Sequence, residues 1–414
     1  MCENLFDDVG GGLTLELNKV TMHLDEIGRI MAERHNKAQQ RSAQARALLS
    51  EHAEVTEELE RKIARAREVD EWRRGAIPRG RRLDETAAAP RPPDRYTLIA
   101  ADGSQIYPDR HAAASYFLLN TGAIVFRGGT GQAPTIYSEP EVFYADEELY
   151  DENHEIHGAD YVSAQRNRRE IEALADRAEE ERAALGGDVS VPIICVLDGP
   201  LLPWMRPNPE DPQAIDAEIA FFVQQLERMR RAGAIPIGYV DKPGSANVLR
   251  ILELIDTPIE QITRERLREG GFIGLADRML FGELPPAHRT GLFEPNSNTN
   301  DRYQYRSGGD RITFAYANMA RDAGPGNAAI ARLEAPGWVV QDPAKLDIAL
   351  AALYANCEPV RYPYVLARAH ELAVVTQAEK ADLESMLAQT MLRNGIMPEI
   401  SFKAANKLLT AHRR

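Results

Sequence analysis

Three acidic residues follow apolar runs that are typical of buried strands, and these residues are the ones in this sequence best suited to chemistry. They are Asp102, Asp198 and Asp241, which follow runs over 96–101, 191–197 and, more loosely, 235–240. Ligands of open sheets bind where strands end, and convergent carboxylates are the usual protein ligands of Mg²⁺ and Mn²⁺. The pattern therefore predicts a divalent metal site at one edge of a sheet.

Each aspartate also has a structural interpretation. Asp102 and Asp198 both precede glycine, and Asp-Gly is a common turn pair whose carboxylate accepts bonds from nearby backbone N–H groups. A single such pair is more often a turn than a ligand, but two of them after strongly apolar runs favour a shared site. Asp241 extends that site, or else pairs with Lys242 or caps a helix near Ser245, and the structural roles are slightly favoured. Lys242 is placed either to steady a phosphate or to lie in solvent.

Composition bounds the class of protein. With 414 residues, 44% hydrophobic and 27% charged, the chain is long enough for about two to three units. Its net charge of −14 argues against a basic nucleic-acid-binding body but allows a local basic groove. No apolar run is long enough to span a membrane and no signal peptide is evident, so we expect a cytoplasmic protein. Three cysteines, far apart, argue against a disulfide framework and a zinc site.

The elements that must hold these aspartates begin after an N-terminal helical arm. Residues 1–75 contain an amphipathic pattern that predicts one or two long helices, either a hairpin or dimerisation element or a helix covering the main domain. The apolar positions of this pattern include Leu17, Leu24, Ile27 and Met31. Residues 76–95 are rich in Arg and Pro and predict an irregular linker, whose arginines either meet DNA phosphates or stay solvated.

The pattern of the main domain, residues 96–395, predicts a mixed α/β unit. Its predicted order is three meandering strands, a helix, a strand, a helix and a strand, which is the order of an RNase H-like domain. In that order the first and fourth strands are neighbours, which places the Cα atoms of Asp102 and Asp198 about 5 Å apart. The predicted elements are strands 96–101, 114–119, 123–127, 135–144, 191–197 and 235–240, with a turn at 120–122, and helices 161–185, 214–232, 246–255, 343–356, 364–375 and 378–393.

Residues 256–335 interrupt this alternation and are predicted to be an insertion. Within it, 296–306 interleaves arginine with tyrosine, including Arg302 and Arg306. Such a segment either contacts single-stranded DNA or forms an edge-strand hairpin. Residues 396–414 form a weakly basic tail.

Four motifs in this order resemble the NurA nuclease family over residues 96–395. They are Asp102-Gly-Ser-Gln, Leu197-Asp-Gly-Pro-Leu, Tyr239-Val-Asp-Lys-Pro and Tyr362-Pro-Tyr-Val-Leu-Ala-Arg-Ala-His370. The resemblance implies an RNase H-like fold and a homodimer. It also implies a manganese-dependent 5′-to-3′ nuclease that processes DNA ends with the hexameric translocase HerA.

The resemblance also implies site residues. The family's two strand-end metal aspartates fall on Asp102 and Asp198, and its helix glutamate on Glu170, with Glu172 as the alternative. Its C-terminal tyrosine and histidine fall on Tyr362, or alternatively Tyr364, and on His370. We expect these residues to hold two Mn²⁺ or Mg²⁺ ions per site, with His370 as a ligand. A phenol can hydrogen-bond the scissile phosphate, although a single histidine on a helix is by itself more often structural.

The expected function is therefore a metal-dependent DNA nuclease that acts with a HerA-type ATPase in double-strand break repair or phage defence. No P-loop, Gly-x-Ser-x-Gly or His-Glu-x-x-His motif appears, so ATP hydrolysis is left to the partner. Two alternatives stay open: a catalytically idle adaptor that clamps DNA for the translocase, and an RNase H-like ribonuclease.

Overall fold

Apolar runs that alternate between two faces form the centre of a mixed sheet of eleven strands. The computed structural model describes residues 17–70, 75–109, 114–203, 214–322, 328–357 and 361–397. The strands are β1 (Ile77–Pro78), β2 (Thr86–Ala88), β3 (Tyr96–Ile106), β4 (Phe117–Gly128), β5 (Thr135–Phe143), β6 (Ile193–Asp198), β7 (Ala234–Val240), β8 (His288–Thr290), β9 (Phe293–Glu294), β10 (Ile312–Asn318) and β11 (Ile330–Pro336).

The strand order along the sheet is β1-β9-β10-β11-β7-β6-β3-β4-β5, with β8 joined to β10 and β2 to β8. β3, β4 and β5 are antiparallel to one another, whereas β6 runs parallel to β3 and β7 parallel to β6. The first and fourth strands of the main domain are thus neighbours, as predicted. The chain is a mixed α/β protein, and the narrower RNase H-like description stays a prediction.

Two helical layers cover the sheet. The helices are α1 (Leu17–Glu51), α2 (Glu57–Val69), α3 (Asp146–Leu149), α4 (Ala159–Ala184), α5 (Ala214–Arg231), α6 (Asn247–Ile255), α7 (Arg264–Arg268), α8 (Asp277–Leu280), α9 (Asn298–Arg306), α10 (Gly337–Val340), α11 (Pro343–Ala355), α12 (Tyr364–Ala373) and α13 (Gln377–Arg393), with a 3₁₀ turn at Ile259–Gln261. Helices α11 and α12 pack on one face through Leu98 and Val196. Helices α4 and α5 pack on the other through Ile99 and Cys195. This alternation is the period of two expected of a strand buried on both faces.

Two strand predictions near the site were wrong. β3 does not end before Asp102 but continues to Ile106, because β4 pairs with it along this whole length. The turn predicted at 120–122 is absent, and β4 runs through it as one strand. Asn120 and Thr121 are buried in the sheet, so polar residues that would suit a turn serve here as interior strand residues.

The arm, the predicted linker and the predicted insertion all join the main body. α1 is exposed in its first half, and Ser42, Ala45 and Leu49 on one side of its second half are buried. α1 and α2 share an apolar cluster with α6. The predicted irregular linker contains β1 and β2, and residues 256–335 supply β8–β11, which extend the same sheet. Residues 298–306 form α9, so the predicted edge hairpin was wrong. No helix of the described ranges is long and apolar enough to cross a membrane.

Candidate metal and nuclease site

The two aspartates lie side by side at the end of β6. Ala101 on β3 is the register partner of Leu197 on β6, and Asp102 and Asp198 are the next residues on these parallel strands. β6 ends at Asp198, whereas β3 continues beyond it. Asp102 therefore lies beside the point where its parallel neighbour stops, which exposes this edge of the sheet to a ligand.

Glu170, on α4, packs against β3 next to Asp102, on the face of the sheet opposite α12. A Cβ atom on Gly103 would lie 2.8 Å from Glu170 Oε1 and 2.6 Å from Arg166 Cγ. Because glycine has no such atom, α4 approaches β3 closely enough to bring the Glu170 carboxylate beside Asp102. The glycine of this Asp-Gly pair thus serves close helix packing rather than a turn.

The site disfavours negative charge until a cation is supplied. Burial raises the pKa of Glu170 to about 8, and the charges of Asp102 and Asp198 act in the same direction. Arg166 opposes the shift through an ion pair of 3.2 Å between its Nε and Glu170 Oε1. The pKa of Asp198 is also raised, first by burial, although its carboxylate reaches solvent. Carboxylates in this state gain from binding a divalent cation.

His370 and Tyr362 each contact one aspartate. His370 Nδ1 on α12 lies 2.7 Å from Asp102 Oδ2, and the Tyr362 hydroxyl donates to Asp198 Oδ2 at 2.8 Å. The Tyr362 ring packs edge to face on Tyr239, with 5.6 Å between ring centroids. Burial and the neighbouring Asp198 raise the pKa of Tyr362 above its ordinary value, so the phenol keeps its proton and acts as a donor.

The residues after Asp198 are held against the sheet. Gly199 has φ of +130°, a conformation that favours glycine, and the Leu201 N–H donates to Glu334 Oε2 at 3.0 Å. A Cβ atom on Gly238 would lie 2.7 Å from the Gly199 carbonyl oxygen, so this glycine leaves room for the turn. These contacts fix the backbone that carries Asp198.

The two pairs of alternatives are separated by position. Glu172 accepts a hydrogen bond from Arg169 Nη1 at 2.8 Å, and Arg169 also pairs with Glu141 on β5. Glu170 instead packs at Gly103, next to Asp102. Tyr364 packs edge to face on Phe126 and is largely exposed, whereas Tyr362 contacts Asp198.

Asp241 is not a helix cap. The backbone N–H groups of Val248 and Leu249, in the first turn of α6, donate to the buried carboxylate of Asp277 at 3.0 and 2.9 Å. Asp277 therefore occupies the capping position that was considered for Asp241. Asp241 is exposed after β7, where its charge contributes to the raised pKa of Asp198. Lys242 is exposed and has φ of +43°.

The two arginines predicted to contact DNA form ion pairs on the surface. Arg302 and Arg306 on α9 both pair with Asp216 at the start of α5. These contacts join the two helices, and nothing in them distinguishes a DNA contact from a structural one. The predicted basic tail, with Lys403 and Lys407, lies outside the described residues except for its first two positions.

The donor set fits a divalent cation by chemistry and charge. Asp102, Asp198 and Glu170 offer carboxylate oxygens, which hard cations prefer, and His370 offers an imidazole that suits Mn²⁺. Within the described ranges, however, no three His, Cys, Asp or Glu side chains meet closely enough to hold an ion. One oxygen of each aspartate is instead occupied by His370 or Tyr362.

Sequence reasoning did not single out Arg166, Gly103 or Gly122 as parts of the site. A Cβ atom on Gly122 would lie 2.4 Å from the Ala373 backbone nitrogen, so this residue admits α12 to the sheet. The available signal was an isolated glycine within an apolar strand pattern, which often marks close backbone approach. It was interpreted as a turn instead.

Comparisons with known proteins complete the description. The chain matches the family model of the NurA domain over residues 96–375. No match was found among curated proteins. A structural comparison relates the chain to the crystal structure of the NurA nuclease from Sulfolobus solfataricus, with 10% sequence identity and a TM-score of 0.49, over 91% of this chain and 98% of that one. On the strength of the family model, which covers more than half of its length, the chain belongs to the NurA family.

Proposed function

We propose that this protein is a metal-dependent deoxyribonuclease that hydrolyses phosphodiester bonds. Membership of the NurA family supports a nuclease. The observation that carries the proposal is that Asp102 and Asp198 are neighbours on adjacent parallel strands, with Glu170 packed at the next residue, Gly103. Two of the three carboxylates have a raised pKa, and perturbed carboxylates at a sheet edge are typical of functional sites.

The proposed cofactor is Mn²⁺ or Mg²⁺, with two ions per site. Asp102, Asp198, Glu170 and His370 are the residues that would hold them. When bound, such ions activate water and stabilise the charge that develops on the leaving oxygen. The raised pKa of Glu170 means that metal binding competes with a proton at this position.

The other residues act on the metal and on phosphate. His370 uses Nδ1 to contact Asp102, which leaves Nε2 as the ring nitrogen that would hold a metal ion. Tyr362, which donates to Asp198, would transfer this hydrogen bond to a phosphate oxygen of the substrate. Arg166 keeps a positive charge beside Glu170 and would limit the repulsion between the carboxylates and the DNA backbone.

The proposed substrate is a DNA end, single-stranded or duplex, and the proposed partners are a second copy of the chain and a HerA-like hexameric ATPase. A net charge of −14 gives the nuclease little long-range attraction for DNA. A ring-shaped motor would hold the DNA and set the direction of movement. The proposed processes are double-strand break repair or phage defence. Apolar side chains exposed on α1 support an assembly of this kind.

A nuclease assay tests the proposal. End-labelled DNA and RNA of the same sequence are incubated with purified protein in Mn²⁺, in Mg²⁺ and in chelator, with Asp102→Ala as the control for contaminating nucleases. We expect DNA cleavage that requires metal and is lost in the variant. Preferential cleavage of RNA would support the ribonuclease alternative. An absence of cleavage with retained DNA binding would support the adaptor.

A further inference from the structure

The end of β3 beyond Asp102 contacts α4 through three successive pairs of residues. Side chains on alternate strand positions point to one face, and helix residues three or four apart do the same. Gly103 faces Glu170, Gln105 faces Arg166, and Tyr107 faces Ser163. The distances are 3.1 Å from Arg166 Nη1 to Gln105 Oε1 and 3.2 Å from the Tyr107 hydroxyl to Ser163 Oγ.

These pairs are joined to one another. Gln105 Nε2 donates to the Tyr107 hydroxyl at 2.8 Å, and Arg166 makes an ion pair with Glu170. A continuous chain of polar contacts therefore runs from the Glu170 carboxylate to Tyr107. Although its ring is 41% exposed, Tyr107 is held at its hydroxyl by two partners, so ordering the ring against a ligand costs little further entropy.

Beside Tyr107 lies a cleft of about 360 Å³ between the end of β3 and the start of α13. Ile106, Pro108 and Val375 give it apolar walls, and Gln105 and Gln377 give it amide groups. Lys380 and Asp109, at its margin, carry opposite charges. A nearly neutral cleft with apolar walls and amide edges suits a nucleobase, which has apolar faces and a hydrogen-bonding edge, better than it suits a phosphate.

The part of β3 between the site and the cleft is tied to the end of α12 by hydrogen bonds. Ser104 Oγ donates to the Ala373 carbonyl at 2.5 Å, and Asn120 Nδ2 donates to the same oxygen at 2.8 Å. Tyr107 is five residues from Asp102 along an extended strand, and so it lies within about 16 Å of it. A strand of DNA whose phosphate is at the carboxylates can therefore place a base a short distance away at Tyr107.

We infer that Tyr107 and this cleft form a base-stacking subsite for the single-stranded end of the substrate. The inference rests on the proposed nuclease function and specifies which part of the nucleic acid is gripped. Stacking accepts every base, since each has an aromatic face, so the subsite would hold a strand without selecting a sequence. Arg166, between the cleft and Glu170, would meet the intervening phosphate.

Two variants at Tyr107 separate stacking from hydrogen bonding. Tyr107→Ala removes the ring, and we expect it to raise KM for single-stranded DNA about 5- to 150-fold, with a much smaller change in kcat. Tyr107→Phe keeps the ring and loses only the hydroxyl contacts, so its KM should stay within a few-fold of wild type. Tyr144→Ala, which removes another exposed tyrosine after β5, is the matched control and should behave as wild type.

A binding measurement keeps the inference independent of cleavage. In an Asp102→Asn background, oligonucleotides with 2-aminopurine at successive positions should show quenched fluorescence at one position, and Tyr107→Ala should abolish that quenching while the melting temperature is unchanged. Unchanged KM and unchanged quenching in Tyr107→Ala would overturn the subsite even where wild type cleaves DNA. If wild type cleaves no nucleic acid, the proposed function fails, and the quenching then decides the subsite alone.

Discussion

Asp102 and Gly122 are direct register partners on β3 and β4. The absent side chain of Gly122 lets the backbone of α12 lie against the sheet at this point. His370, one turn before the end of α12, thereby comes within 2.7 Å of Asp102. The position of the histidine thus depends on a glycine on the neighbouring strand as much as on its own helix.

Gly122→Ala should therefore displace α12. Its new Cβ atom would lie 2.4 Å from Ala373 N and 2.6 Å from the Ala369 carbonyl oxygen, and backbone atoms cannot yield as a side chain tip does. We expect a loss of about 1–3 kcal/mol in the free energy of unfolding and a fall in kcat, measured by denaturant unfolding and nuclease assays. Gly28→Ala, at an exposed position in α1 with no atom near the new Cβ, should be neutral or slightly stabilising. Equal effects of the two changes would contradict this role of Gly122.

Asp102→Asn and Asp198→Asn should each reduce cleavage by more than about 100-fold without altering the melting temperature. Since both carboxylates serve one site, the double variant should be hardly worse than either single variant. Asp241→Asn is the control and should retain most of the activity. Full activity in either of the first two purified variants would remove the metal assignment, and a large loss in Asp241→Asn would add that residue to the site.

Glu170 should make the stability of the metal-free protein depend on pH. Its pKa in the folded protein is about 8, above the ordinary value of 4.5, so the folded state binds the extra proton between these values. The corresponding stability is complete below pH 4.5 and is lost as the pH rises through 8. The melting temperature of wild type should therefore fall more than that of Glu170→Gln between pH 5 and pH 9.

Glu172→Gln is the matched control for this measurement, because Glu172 pairs with Arg169 on the same helix. Its pH profile should follow that of wild type. Added Mn²⁺ should raise the melting temperature of wild type at pH 9 more than that of Glu170→Gln. Parallel pH profiles for wild type and Glu170→Gln would show that Glu170 ionises normally.

His370→Ala and Tyr362→Phe should lower the rate of cleavage by different amounts. Loss of the histidine removes a proposed metal ligand, so we expect about a 10- to 100-fold fall in kcat and a higher Mn²⁺ requirement. Tyr362→Phe removes one hydrogen bond, worth about 1 kcal/mol, or about fivefold in rate. Manganese titrations of both variants test this. An unchanged rate and metal requirement in His370→Ala would make the histidine structural.

The exposed apolar side chains of α1 should mediate assembly. Leu24, Ile27 and Met31 are 52%, 44% and 64% exposed, and such a stripe is better buried against a second chain. We expect a dimer by light scattering, and a monomer of unchanged melting temperature for the double variant Leu24→Glu/Met31→Glu. A HerA-like ATPase of the same organism should co-purify at low salt and accelerate duplex digestion when ATP is present. A monomeric wild-type protein would contradict the dimer, and an absence of the complex would contradict the partnership.

The sequence predicted the central layers of the fold well because their signals are local. Apolar runs located β6 and β7, and the charged periodic stretch located α4 to within two residues of its observed ends. The adjacency of β3 and β6 followed from element order alone. The continuation of β3 past Asp102 could not be predicted in this way, because it depends on pairing with β4. That interaction is non-local and is not indicated by any single residue type.

The sequence indicated the carboxylates of the site but not the close packing of two helices against the strands that carry them. Asp102 and Asp198 follow apolar runs in the sequence, and the structure places them side by side on β3 and β6. Glu170, which packs at Gly103, is distinguished from Glu172 only by the rotation of α4. The approach of two helices through Gly103 and Gly122 depends on missing side chains. A glycine in the sequence does not show which element packs where its side chain is missing, and this becomes known only from the structure.

The site also has a consequence for how the protein is made. Its carboxylates come from β3, α4 and β6, but two of its residues come much later in the chain: Tyr362 shortly before α12 and His370 within it. During synthesis the three acidic residues leave the ribosome long before the residues that contact them. A partly synthesised chain would therefore carry the three carboxylates without His370 and Tyr362. The proposed nuclease activity, which would endanger the cell's own DNA, would be withheld until most of the protein has been translated and folded.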